Sequence, residues 1–285
     1  MTTPLSPAVR RPLLSVALPD LDAWTTWFAT AEIPVLAVTS ETLEALRRNE
    51  DAVDANSLGE MIAEDPLMSL KVLAHSAARR PPHRLADPET VTGALVMMGI
   101  TPFFRDFGPQ PTVEDHLFDH PYALDGLTAV LRRSHRAALF ALGFAVHRMD
   151  TDAAVIYEAA LLHDLADILL WCHAPELAQR TASLLAADPS LRSTEAQQAT
   201  LHIELHDLQR ALMKQWRLPE LLVHIMDDEE KRDPTARSVL LAIRVARHSA
   251  HGWDNAALPD DYADIAALLN MSPDAVQALL QDLDR

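Results

Sequence analysis

Apolar positions in this chain recur mainly at three- and four-residue spacing, the period of a helix with one buried face. "AEDPLMSLKVLAHSA" sets Asp65 as N-cap and Pro66 at the first helical position, with Leu67, Leu70, Lys71 and Ala74 following at helical spacing. "NMSPDAVQALLQDLD" repeats the device with Ser272 and Pro273, and Asp233-Pro234 and Leu218-Pro219-Glu220 read as further helix starts. In "TSETLEALRRNE", Ser40 reads as a cap ahead of Leu43 and Leu46. Alternating runs bounded by Asn-Gly or Asp-Gly turns are missing, so hairpins are not expected. Two short stretches stand apart: 13–19 (LLSVALP) could pair as a strand, and 33–39 (IPVLAVT) reads as an extended entry to a helix. The pattern predicts an all-α protein of roughly a dozen helices.

Pro, Gly and His crowd into two joints. Residues 79–90 read as a surface loop, and residues 98–122 break the helical period long enough to mark a boundary between two helical lobes. Residues 1–32 read as an N-terminal appendage whose Trp24, Trp27 and Phe28 pack on the main body. Residues 249–285 read as a C-terminal helical extension.

Composition agrees with helices and narrows the function. Apolar residues make up 49% of the 285, with only 7 Gly. A formal charge of −17 repels phosphate backbones and anionic lipid surfaces, so neither nucleic acid nor membrane is an expected partner. The single cysteine, Cys172, excludes an internal disulfide and a multi-cysteine metal site and suits a reducing compartment. No segment has eighteen uninterrupted apolar residues and the start lacks a long apolar run, so a cytoplasmic protein is expected.

The candidate chemistry lies in "AALLHDLADILLWCHAPELA" (159–178), where His163 and Asp164 interrupt an apolar run. Burying an aspartate without partners costs several kcal/mol, so something must satisfy it. In a helix over about 153–172, Leu161, Leu165, Ile168 and Cys172 share one face, and His163 and Asp167 lie on another. His163 and Asp164 point about 100° apart, so one ion could serve both only between those directions, with neighbouring helices supplying further ligands.

"VLRRSHRAALFALGFAVHRMD" places His135 28 residues before His163, and that order, followed by His163-Asp164, resembles the HD superfamily of metal-dependent phosphohydrolases. The likeness widens with 33–78 (a proline-containing entry, helices and a "DP" helix start), "VTGALVMMGITPFF" and "LQRALMKQWRLPELL". Together these resemble an HDOD domain, the HD-related output domain of bacterial signalling proteins, over about residues 33–248. The resemblance implies a multi-helix HD-like bundle in two lobes, about 33–110 and about 119–248.

It also implies metal ligands at His135, His163 and Asp164. The fourth ligand, an Asp in an "AD" pair on a late helix, falls where Ala246 is followed by Arg247. A guanidinium is permanently cationic and cannot ligate a metal. The Lys that often follows the pair in active members is replaced in "HDLAD", which puts Asp167 there. The paired histidines and GYP loop of the cyclic di-GMP phosphodiesterase branch give way to "HIMDDEEKRDP". The remnant set is expected to be empty of metal, with Arg247 neutralising Asp164 in its place. Two other readings stay open: Asp164 caps or pairs locally with His163 as a core histidine, or a metal site functions with Fe, Mn, Zn or Mg. His202 and His206, four apart on a predicted helix, are weaker ligand candidates, of which only His206 falls where the family has a His. Arg132, Arg133 and Arg136 could form a local cationic pocket. "RHSAHGW" reads as a helix end capped by Gly252, Cys172 as a buried apolar group, and 227–233 as a solvated helix end.

The expected function is that of a non-enzymatic signalling module, without a resident cofactor, that binds a partner protein or small ligand. The alternative is a metal-dependent phosphohydrolase acting on a nucleotide or phosphate ester. Homo-oligomerisation stays open.

Overall fold

A computed structural model of the chain describes residues 12–79, 88–188, 190–226 and 233–285. The fold is all-α, and its elements follow from caps and apolar faces. The N-terminal part carries α1 (Leu21–Thr30), α2 (Ala37–Arg47), α3 (Ala55–Ala63), α4 (Pro66–Ala78), α5 (Val91–Met98), α6 (Ile100–Asp106) and α7 (Val113–His116). The central part follows with α8 (Pro121–Arg148), α9 (Ala153–Leu162), α10 (Leu165–His173), α11 (Pro175–Ala187), α12 (Ser193–Leu201), α13 (Leu205–Gln215), α14 (Glu220–Ile225) and α15 (Pro234–His248). Last come α16 (Leu258–Leu269) and α17 (Pro273–Leu283).

Helix α8 is the axis of the molecule. At 28 residues it runs about 42 Å, and it packs most extensively on α9 and α15, with α10 against its first half. Close approach is built in at Gly126, where a Cβ would meet the indole of Trp171 on α10 at 2.3 Å. Helix α1 docks on α13, burying Trp24 and Phe28, and the Trp24 indole donates to the carbonyl of Leu201 at 3.0 Å. The apolar core runs without interruption from α1 to α17.

The local caps behave as their residue types dictate. Asp65 accepts from Leu67 and Met68, Asp233 from Thr235, and Ser272 from Ala275, each ahead of a proline. Ser40 does not cap. Helix α2 starts at Ala37 because two distant carboxylates supply the acceptors: Asp65 takes the Leu36 N–H at 2.8 Å and Glu114 takes that of Ala37 at 2.9 Å. Residues 13–19 form no strand, and Leu14 instead donates to the carbonyl of His173 at 2.8 Å. Among the described residues the one β-type pairing is a parallel bridge between Val35 and Thr112. The joint at 98–122 is not irregular throughout, since it holds α6 and α7. Helix α15 ends on Ser249 rather than Gly252. Most of the expected loops at 79–90 and 227–233 lies outside the described residues. Among those described, no helix is long and apolar enough to cross a membrane.

Candidate functional site

The apolar run around His163 contains no proline or glycine to break it, yet it does not form the single helix expected over 153–172. Helix α9 stops at Leu162 and α10 starts at Leu165. His163 keeps helical angles, whereas Asp164 turns to φ −94° and ψ 24°. Asp164 then stands at the N-cap position of α10 without its side chain capping the helix. The carboxylate is engaged elsewhere.

Its partners are two arginines from flanking helices. Arg133 on α8 donates through Nε to Asp164 Oδ2 at 2.7 Å, and through Nη2 to Asp167 Oδ2 at 3.1 Å. Arg247 on α15 donates through Nη2 to Asp164 Oδ1 at 2.8 Å. His163 Nδ1 lies 3.5 Å from the same Oδ1. Burial alone would push the Asp164 carboxyl up, but Arg247 and Arg133 hold it well below the usual carboxylate range. The ionised group is thus tied into α8, α10 and α15 by charge-assisted bonds in a buried setting, where they are strongest.

The remaining candidates are scattered. His135 follows Arg133 by two residues, about 200° around the axis of α8. Its charged neighbours are Glu64 and Asp65, and among the described residues neither of its buried ring nitrogens has a hydrogen-bond partner. Burial pushes its pKa down, against the pull of those two acids. Arg136 is spent on the C-terminal extension, with bonds to both Asp284 oxygens at 2.6 and 3.0 Å, to Ser249 at 2.9 Å, and stacking on Phe140 and Trp253. Arg132 is exposed, so Arg132, Arg133 and Arg136 form no common pocket.

His202 and His206 do not share a helix. His202 adopts a left-handed φ of 65° as the end of α12, which destroys the one-turn chelating geometry, and its Nδ1 meets the Leu18 carbonyl at 3.2 Å. Cys172 is fully buried, and burial pushes its thiol far up. Among the described residues, no group of three or more His, Cys, Asp or Glu is placed to hold a metal ion.

A cavity of about 530 Å³ opens beside the pair. Its polar wall is made of Arg237, Arg244, Arg247, His163, His248 and Asp264. The arginines that line a cavity therefore lie on α15, and two of them are already ion-paired, Arg244 to Asp261 and Asp264 and Arg247 to Asp164. The signal was present in "RSVLLAIRVARH", where arginines at positions 237, 244 and 247 fall on one helical face. Arg133, too, lay in plain view beside the histidine that the motif favoured.

These features define a helical bundle of HD type whose central aspartate is held by two guanidiniums. The family model of the HDOD domain matches residues 33–231, and the chain belongs to that family. Among solved structures, the MmoQ response regulator from Methylococcus capsulatus strain Bath is similar with a TM-score of 0.63 at 17% identity, covering 87% of this chain and 98% of that one. A virulence factor from Campylobacter jejuni is similar with a TM-score of 0.60 at 15% identity, covering 93% and 98%. At such identities the likeness concerns the fold. No curated protein matches the chain in sequence.

Proposed function

We propose that this HDOD protein is a non-enzymatic signalling module that binds a partner protein or a small ligand, and that its HD centre is a structural remnant. The double ion pair on Asp164 carries the reading. Both carboxylate oxygens accept from guanidiniums at 2.7 and 2.8 Å, and Arg247 stands where a metal centre would need an anionic or neutral donor. The donor set therefore does not suit a divalent cation. A cation-locked aspartate instead ties three helices together, so a ligand that competes for either arginine would shift how α8, α10 and α15 sit. That MmoQ is a response regulator agrees with a signalling role.

The test is metal analysis of protein purified without chelator or affinity tag, alongside assays on phosphodiesters and nucleotides. We expect substoichiometric Fe, Mn and Zn and no turnover. Near-stoichiometric metal that is lost in Asp164→Ala, or metal-dependent turnover, overturns the proposal. Arg247→Asp is expected to gain affinity for Mn²⁺ by returning an acidic donor beside Asp164.

A further inference from the structure

We propose that the open face of α8 docks antiparallel on the same face of a second copy of this chain, forming a two-fold dimer. Most exposed apolar residues, Val16, Val38, Val96 and Phe118 among them, lie on separate segments and need no explanation. Helix α8 differs because it exposes three along one side: Leu139 at 43%, Val146 at 64% and, at the helix end, Met149 at 87%.

That side is spaced for pairing with a helix. Arg132, His135, Leu139, Leu142, Val146 and Met149 follow one another at alternating intervals of three and four residues, the repeat that keeps a seam against a partner helix. The core residues Ala137, Phe140, Ala141 and Phe144 lie on the opposite side of α8, so the seam itself stays half-buried or exposed. Helix α17 widens it. A Cβ at Gly143 would collide with Leu283, so the missing side chain lets that partly buried leucine lie beside the seam and add apolar surface to its flank.

Charge selects a second copy as the occupant. With 41 acids and a net −17, two copies repel over most of their surface, yet residues 126–149 contain no Asp or Glu. Exposed Arg132 stands at one end of the seam and exposed Asp152 just beyond the other, and neither has an ion-pair partner among the described residues. Setting Leu139 against Leu142 of the second copy makes the seam its own complement. The two-fold axis then falls between positions 140 and 141, the stem of Arg132 covers Met149 of the second copy, and the guanidinium comes within reach of that copy's Asp152. Symmetry makes each of these contacts twice, whereas a foreign helix would need the same charges in reversed order. The seam from Arg132 to Met149 runs about 26 Å. A strip of that length with so few apolar side chains belongs to the small, reversible class of interface.

Sedimentation equilibrium of the full chain over about 1 to 500 μM tests the pairing, with circular dichroism to show that each variant folds. We expect a monomer–dimer equilibrium with a Kd of about 1 to 100 μM. Val146→Asp and Met149→Glu, both at exposed positions, should each weaken it by about tenfold or more, while Phe118→Ala, also exposed, should leave it unchanged. Arg132→Asp should weaken it by about tenfold as well, and adding Asp152→Arg should restore it to within about threefold of the parent, because the exchanged charges meet again across the two-fold axis. A monomer at every concentration overturns the proposal. So does a dimer that ignores Val146→Asp and Met149→Glu, one that Phe118→Ala weakens equally, or a charge exchange that fails to restore association. None of these outcomes bears on the metal content or turnover of the HD centre, so the two proposals fail separately.

Discussion

Asp164 and Glu158 are two buried acids six residues apart, on either side of the end of α9, and they are stabilised in opposite ways. Asp164 is 8% exposed and meets two guanidiniums, so it stays ionised far into acid. Glu158 is 3% exposed and, among the described residues, accepts only from the N–H of Val91, at 3.2 and 3.1 Å from its two oxygens. Without a cation, burial pushes its pKa up to about 8. Similar burial therefore produces a permanent anion at one site and a neutral acid at the other, and the difference lies in what the flanking helices bring. Asp164 joins α10 to α8 and α15 by charge, whereas Glu158 joins α9 to the start of α5 by a single donor.

Removing the charge at Asp164 is the strongest way to break this contrast. Asp164→Asn leaves Arg133, 24% exposed, facing a neutral amide, and is expected to cost about 3 kcal/mol in urea unfolding. A loss under about 1 kcal/mol would mean that the arginines find other partners. Glu158→Gln gives the next effect. A carboxyl raised from 4.5 to about 8 binds its proton more tightly folded than unfolded, so its contribution is complete below about pH 4.5 and is lost as pH rises through about 8. The glutamine variant should flatten the fall in Tm between pH 5 and 8 and be more stable than the parent at pH 8; an unchanged profile would place the ionisation elsewhere. The smallest effect separates the two arginines. Arg247→Ala should cost about 1 kcal/mol because its side chain is half exposed, and Arg133→Ala should cost more, since Arg133 is deeper and also holds Asp167. Equal losses would contradict that ranking.

What could be read in the sequence was what depends on neighbours in the chain. Asp65-Pro66, Asp233-Pro234 and Ser272-Pro273 announce their helices because a cap reaches its amides within three residues. The HD order and the HDOD likeness gave the family for the same reason: motifs are local strings. The break at Asp164 was not legible, since it accompanies contacts with arginines 31 and 83 residues away. Nor was the choice of Arg133 over His135, which turns on where two positions of α8 point once α9, α10 and α15 have packed around it. Glu158 looked like an ordinary helical acid, and its partner lies 67 residues upstream.

The grip of Arg136 on Asp284 also has a consequence in time. Those residues are 148 positions apart, and at about 5–20 residues per second the ribosome needs roughly 7 to 30 s to make the second after the first. Throughout that interval the central helix has been made but its C-terminal cover has not, so the nascent chain carries an unclosed seam at Arg136 that a chaperone or a neighbouring chain can reach before Asp284 arrives.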